Sequence, residues 1–232
     1  AVIKGGSSVF APKGGSPATV EFNWGQLGTS FTVLGSPQQV VATDGRGGTV
    51  SSAGGVFQLR DQGSGWAGNF ATGTHLLWDS GAGPDITIKF AAPVSSAGAQ
   101  IQADYFGGFT AEIIAYDLGG NVIGTVSADG VSTSSGDGSA IFIDFVSSSA
   151  DVAMVKFLLT SATYSPNDFA IGPVQFSENA SFGGSGPIIN NGTLKIEGPA
   201  TLLDDIVTNH GTVTVDVGQT LTLSGTEISG GS

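Results

Sequence analysis

From about residue 18 onward, apolar and polar positions alternate in short runs bounded by Gly, Pro, Asp or Asn. "DITIKF" puts Ile86, Ile88 and Phe90 on one face and Thr87 and Lys89 on the other. "FTAEIIAYD" sets Phe109, Ala111, Ile113 and Ala115 against Thr110, Glu112, Ile114 and Tyr116, and "VAMVKFLL" sets Val155, Phe157 and Leu159 opposite Lys156. A period of two marks strands with one buried face. "TSFTVL", "QQVVAT", "GVFQLRD", "THLLWD", "NVIGTVSA", "AIFIDFV" and "FAIGPVQF" extend the series. "DLGGN" is a hairpin signal, because glycine readily supplies the positive φ such turns need. No stretch carries a helical period. Strands of this kind require two packed antiparallel sheets. The expectation is an all-β chain in which residues 18–178 form a jelly-roll-type β-sandwich, with an up-and-down barrel as the competing architecture. Such patterns assign faces and leave strand order open.

The tail has another texture. "NNGTLKIEG" and "NHGTVTVDVG" align at a period of nineteen, matching Gly192 with Gly211, Leu194 with Val213 and Ile196 with Val215. "GQTLTLSG" adds a strand of the same kind. Three- to five-residue strands repeating at this period predict a short β-solenoid-like repeat segment over 187–232, a truncated array. Each coil needs neighbours to bury its apolar face, so this segment should lean on the sandwich or belong to a longer array; a Gly/Thr-rich linker hairpin is the plainer reading. Residues 1–17 are a linker or lead-in strand, and the ragged ends read as a piece of something larger.

Composition narrows the functions. The chain has 232 residues, 38 of them Gly, only seven Lys or Arg, and a formal net charge of -12. Phosphates and anionic headgroups would repel it, so nucleic acid is not an expected partner. No apolar run reaches the length of a spanning helix, so no membrane insertion is expected of this fragment. The chain lacks cysteine, which removes disulfides, thiolate metal sites and cysteine nucleophiles. Fourteen of the 19 acidic residues are Asp, a type that caps turns and ligates calcium.

Catalytic patterns are absent. The two histidines are His75, beside an apolar strand, and His210, which matches Asn191 of the preceding repeat; both read as structural. There is no "GxSxG" elbow, and "GRGG" lacks the lysine and helix of a phosphate loop. A carbohydrate-active enzyme would need paired carboxylates, for which Asp79 with Asp85 is one combination. Sugar binding instead needs rings and polar groups on loops. Trp66 in "GSGWAGNF" and the cluster Tyr105, Phe106 and Phe109 in "DYFGGF", beside Asp104, are the candidates, whereas Trp24 and Trp78 read as core.

The stretch "PDITIKFAAPVSSAGAQIQADYFGGFTAEIIAYDLGGNVIGTV", with "DFAIGPVQF" downstream, resembles the jelly-roll domains of secreted bacterial proteins, many of them exosortase-sorted, that are similar to carbohydrate-binding modules. Gly172 and Pro173 depart from that pattern where it usually carries Asp and Asn or Asp, whereas Asp168 matches. The resemblance implies a calcium site where the first and last strands meet, with Asp168 as ligand and Glu21 or Asn23 as its partner. The tail is similar to repeats of adhesins and autotransporter-like exoproteins. Together these imply a non-enzymatic module of a large secreted or cell-surface adhesin-type protein. It would bind glycan, contact other surface proteins, or serve as a structural cap and spacer that shields the open edge of a solenoid.

Overall fold

The structure, a computed structural model, describes residues 2–5, 20–147, 149–178, 188–190, 193–196, 200–203, 206–210, 212–215, 217–218, 220–224 and 227–231. The strands begin with β1 (Val2–Gly5), β2 (Glu21–Phe22), β3 (Val33–Gly35), β4 (Gln38–Val41), β5 (Gly47–Ser52), β6 (Val56–Gln62), β7 (Gly65–Trp66) and β8 (His75–Trp78). They continue with β9 (Asp85–Val94), β10 (Ser96–Ala103), β11 (Gly107–Tyr116), β12 (Val122–Ser132), β13 (Ile141–Ser147), β14 (Val152–Ala162), β15 (Phe169–Ile171) and β16 (Val174–Ser177). The C-terminal strands are β17 (Ile188–Asn190), β18 (Thr193–Ile196), β19 (Ala200–Leu203), β20 (Ile206–Asn209), β21 (Thr212–Val215), β22 (Leu221–Ser224) and β23 (Glu227–Ser229). One 3-10 turn, Trp24–Leu27, follows β2, and no helix among the described residues is long and apolar enough to cross a membrane.

Two sheets face each other. One runs β12-β11-β14-β9-β5-β4, and the other runs β13-β10-β15-β8-β6-β3, with β16 and β2 continuing beside β10. Neighbours are mostly distant in sequence, as in β14 between β9 and β11, and the chain passes repeatedly from one sheet to the other. That crossing pattern is incompatible with an up-and-down barrel and gives a β-sandwich.

Hydrophobic alternation explains the inner faces. Ile86, Ile88 and Phe90, then Phe109, Ala111, Ile113 and Ala115, then Val155, Phe157 and Leu159 are all buried in one core with Phe145, Phe169 and Ile171 from the other sheet. Two strands interior to their sheets carry almost no large side chains. In β10 the inward positions include Ala97, Ala99 and Ala103. A Cβ at its Gly98 would lie 2.5 Å from the Asp144 Cβ. In β5 a Cβ at Gly48 would lie 2.5 Å from the Phe22 ring. The Asp144 side chain of the adjacent β13 and the Phe22 ring of the facing sheet occupy that volume, so the sequence there must be small.

"FAIGPVQF", read as one strand, is broken. Gly172 and Pro173 separate β15 from β16, and the freed Gly172 carbonyl accepts from the indole N–H of the buried Trp24 at 2.8 Å. Pro173 has no N–H to continue the ladder.

The C-terminal strands pair in parallel. β17-β20-β23, β18-β21 and β19-β22 form three ladders, at offsets of 19 or 21 residues. Leu194 is level with Val213 and Ile196 with Val215. Gly192 and Gly211 lie outside the described residues, as do residues 179–187, on which the boundary after the sandwich falls. β1 runs antiparallel between β13 and β18, with Val2 opposite Ser147 and Ile3 opposite both Val146 and Ile196.

Candidate functional site

Trp66 sits in a second, smaller core on the outer face of the β10-containing sheet. It packs with Phe70, Leu76, Ala140 and Ala170, and is only 5% exposed. Its ring meets Phe70 and Trp78 edge-on, at 6.4 and 6.2 Å between centroids. The segments 63–74 and 132–140 cover this face and are fastened by the buried amides of Asn69 and Gln102, whose side chains bond at 2.9 Å. Trp66 therefore offers no ring face to a sugar, against the sequence expectation. Its glycine-rich surroundings, which suggested a loop tip, exist because Gly68 lies against the indole, where a Cβ would be 2.3 Å from Nε1.

Trp78 lies at the border of that small core, half-buried, where strand pairing brings several chemistries together. Register sets Trp78 level with Gln58 on one side and Ala170 on the other. Arg60, one pleat along β6 from Gln58, lays its guanidinium 4.5 Å from the Trp78 ring centroid and 4.8 Å from that of Phe31. Its N–H groups donate to the Leu59 carbonyl at 3.0 Å and to Gln58 Oε1 at 2.5 Å. On the other side the indole N–H of Trp78 donates to Asp168 Oδ1 at 2.7 Å. Asp104 is bound to the same loop, its N–H donating to the Asp168 carbonyl at 2.9 Å.

Beyond these carboxylates the 104–107 and 163–168 loops meet at one end of the sandwich, held by Thr163 bonding the Gly108 carbonyl. They present Tyr105, Phe106 and Tyr164, which are 51, 50 and 68% exposed. The two tyrosine rings lie 5.5 Å apart at 52°, an open aromatic corner. Two non-glycine residues with positive φ border the same region, Phe31 at 70° and Ser80 at 56°. Backbone held in this sparsely allowed region costs free energy and collects at binding sites.

The electrostatics of this end are dominated by carboxyls. Asp104 is pushed above the usual carboxylate range by burial and by the neighbouring negative charge of Asp168, with Arg60 opposing. Burial lowers the Arg60 guanidinium pKa, and Asp104 works against that shift. Beneath them Asp79 is fully buried and pushed up to about 7, first by desolvation and then by the charges of Asp168 and Asp85. Its Oδ1 accepts from the N–H of Gly81 and of Phe169, which oppose the shift, while Oδ2 has no hydrogen-bond partner.

Other sequence candidates are separated by the fold. Glu21 pairs with Gln175, which is level with Gly98 on β10, whereas Asp168 is level with Asp104. Six residues of extended strand lie between those levels, or ~20 Å. Asp168 and Glu21 thus occupy opposite ends of one sheet and cannot share a cation. The first and last sandwich strands do meet, as β2 against β16, but the break at Gly172 leaves Asp168 on the far side. Asn23 instead caps the 3-10 turn and donates to Glu21. Among the described residues no three His, Asp or Glu side chains are arranged to hold a metal. Of the Asp79–Asp85 combination, Asp79 is sealed in the interior and Asp85 is paired with Lys156 at 2.9 Å. His75 bonds Asp61 at 2.7 Å and covers Gly25, and His210 is exposed in a turn.

Tyr164 and Arg60 escaped the sequence reading. Tyr164 carried a usable signal: in "SATYSPND" it follows the end of a period-two run and precedes a proline, the same loop placement that marked Tyr105. Arg60 carried none, since its part depends on which strands flank β6.

No protein-family model matches the chain, and no curated protein matches it. Among solved structures it is similar to a DUF4465 family protein from Bacteroides caccae at 12% identity, covering 70% of this chain and 100% of that one, with a TM-score of 0.41. It is also similar to a glycoside hydrolase family 43 arabinoxylan arabinofuranohydrolase from Bacillus subtilis in complex with cellotetraose, at 14% identity and a TM-score of 0.32, covering 59% of this chain and 39% of that one. A third likeness is to a carbohydrate-binding module, CsCBM6-3 from Clostridium stercorarium, in complex with cellobiose, at 14% identity and a TM-score of 0.23, covering 66% of this chain and 98% of that one. At these TM-scores the likenesses decide neither family nor ligand.

Proposed function

We propose that the chain is a non-enzymatic, glycan-binding β-sandwich module of a secreted or cell-surface bacterial protein. The observation that carries this reading is the exposed Tyr105–Tyr164 corner with Phe106 beside it, set against the Asp104 and Asp168 carboxyls and the Arg60 donors. Sugar rings stack on aromatic faces through their C–H surfaces, and carboxylates and guanidinium groups direct their hydroxyls. Large aromatics left this exposed within two adjoining loops have no role in the core, so ligand contact accounts for them better than stability does. Isothermal titration against a panel of soluble oligosaccharides tests the reading. Tyr105→Ala and Tyr164→Ala are each expected to weaken the best binder by about tenfold, or ~1.4 kcal/mol, at unchanged melting temperature. A panel in which nothing binds, or variants that bind like the parent, would refute it.

A second reading, the structural cap, rests on β1. This strand occupies the edge that β18 would otherwise leave open, and ties the parallel ladders to β13 of the sandwich. We read those ladders as coils of a β-solenoid belonging to an adhesin-type array, with the sandwich shielding one end of it. Deleting residues 1–5 should then speed amide hydrogen exchange in β18 and β21 while leaving β9 and β14 unchanged. Equal exchange in both proteins would remove β1 from the capping role.

A further inference from the structure

The charge at the loop end goes further than the presence of sugar-binding surface. Resting on the glycan reading above, we propose that the ligand carries protonated amino groups, as in glucosamine units, with an ammonium held at the Asp104 and Asp168 carboxylates and a sugar ring on Tyr105 or Tyr164.

Three observations point to a cation. First, Asp104 and Asp168 are joined by a backbone hydrogen bond, yet neither takes part in the ion pairs found among the described residues, namely Asp44 and Glu178 with Arg46, Asp61 with His75 and Asp85 with Lys156. Two half-buried carboxylates side by side repel one another, and a cation between them relieves both the repulsion and the desolvation. Second, Asp79 lies behind them, fully buried with an unpartnered Oδ2, and brings no positive charge that would compete for the pair. Third, the exposed tyrosine rings stand on the same 104–107 and 163–168 loops as these carboxyls, and an aromatic face attracts an ammonium as well as a sugar C–H surface. The opposing group is Arg60. Its guanidinium is stacked on Phe31 and Trp78 and engaged by Leu59 and Gln58, so one fixed positive charge stands against the two carboxylates. The whole chain, at a net charge of -12, favours approach of a cation and disfavours a uronic acid.

The experiment is titration calorimetry near pH 6 with three tetrasaccharides, made of glucosamine, N-acetylglucosamine and a uronic acid, at low and at raised salt. The glucosamine oligomer is expected to bind at least tenfold more tightly than its acetylated form, with the advantage shrinking as salt screens it. The uronic oligomer should not bind. In the Asp104→Asn, Asp168→Asn double variant the tenfold advantage should disappear while residual binding of the acetylated oligomer persists, because the amide at 168 can still accept from Trp78. If the acetylated oligomer binds the parent protein as well as the amine does, the ammonium assignment is overturned and the glycan reading survives. If none of the three binds, and the wider oligosaccharide panel is also silent, both readings fall together.

Discussion

Asn69→Ala is expected to lower the melting temperature by about 10 °C, one of the two largest effects foreseen for a single substitution. Asn69 is buried, and every polar atom it has is used. Its Oδ1 accepts from Gln102 Nε2 at 2.9 Å and from the Thr133 N–H at 2.6 Å. Its Nδ2 faces the hydroxyls of Thr133, Ser135 and Ser139 at 2.8, 3.1 and 3.0 Å. Truncation leaves the Thr133 N–H without its acceptor and removes one of three acceptors from Gln102 Nε2, which keeps Ser132 Oγ and the Thr133 carbonyl. A buried donor left unpaired costs about 1–3 kcal/mol, and the three lost hydroxyl contacts add to it, giving ~4 kcal/mol in total. For a chain of this size each kcal/mol moves the midpoint by roughly 2–4 °C. The variant should also free segments 63–74 and 132–140 from the sheet, wetting Trp66 and shifting its fluorescence to the red. Thr133→Ala, which keeps the backbone N–H and its acceptor, serves as the mild control. A melt of Asn69→Ala within two degrees of the parent would mean the two segments are held by the aromatic packing alone.

That network was invisible in the sequence, and the reason is physical. Asn69 and Gln102 are 33 positions apart, and their types are common on any surface. The inner faces of β9, β11 and β14 were legible because a period of two survives wherever large apolar side chains alternate with polar ones. β10 and β5 went unread because the core asks them for Ala, Gly and Ser, so the contrast that marks a strand is missing. The candidate site was half legible. Tyr105 and Phe106 stand in a glycine-bounded loop and are exposed, as expected for ring platforms. Trp66 stands in the same kind of local sequence and is buried, because segments 63–74 and 132–140 fold over the outer face of a sheet. Whether a loop aromatic faces water is settled by what lies across from it, and strand order supplies that, not local pattern. The pairing of Asp168 with Glu21 failed for the same reason: the chain order of first and last strands was sound, but the break at Gly172 set the two residues at opposite ends.

Asp79→Asn should stabilise the protein at pH 8 by about 2 kcal/mol and leave it about 2 kcal/mol less stable than the parent at pH 4. The folded protein holds the Asp79 carboxyl at about 7, against an ordinary value of 3.8, because desolvation penalises the ionised form. Between those two values the folded state binds more protons than the unfolded one, so stability falls as pH rises through the window and is lowest above 7. A shift of this size corresponds to an upper limit of ~4 kcal/mol at pH 8. Asparagine keeps Oδ1 as acceptor for the Gly81 and Phe169 N–H groups. It places an amide nitrogen where Oδ2 now lacks a partner, and that unpaired donor returns roughly half of the gain. At pH 4 the parent's carboxyl is protonated in the fold and its charge penalty is gone, while the variant's unpaired amide donor still costs about 2 kcal/mol, so the order of stability reverses. Asp144, pushed up to about 6 by burial, tilts the parent's profile in the same direction. Only the difference between parent and variant therefore isolates Asp79, and melts of both from pH 4 to pH 8 supply it. A variant less stable than the parent at pH 8, with the parent's stability rising towards alkaline pH, would mean that the buried carboxylate is ionised in the fold and held by a positive charge. In that event Asp79 would belong to a cation site together with Asp168, and the ammonium assigned to the loop end would have to compete with it.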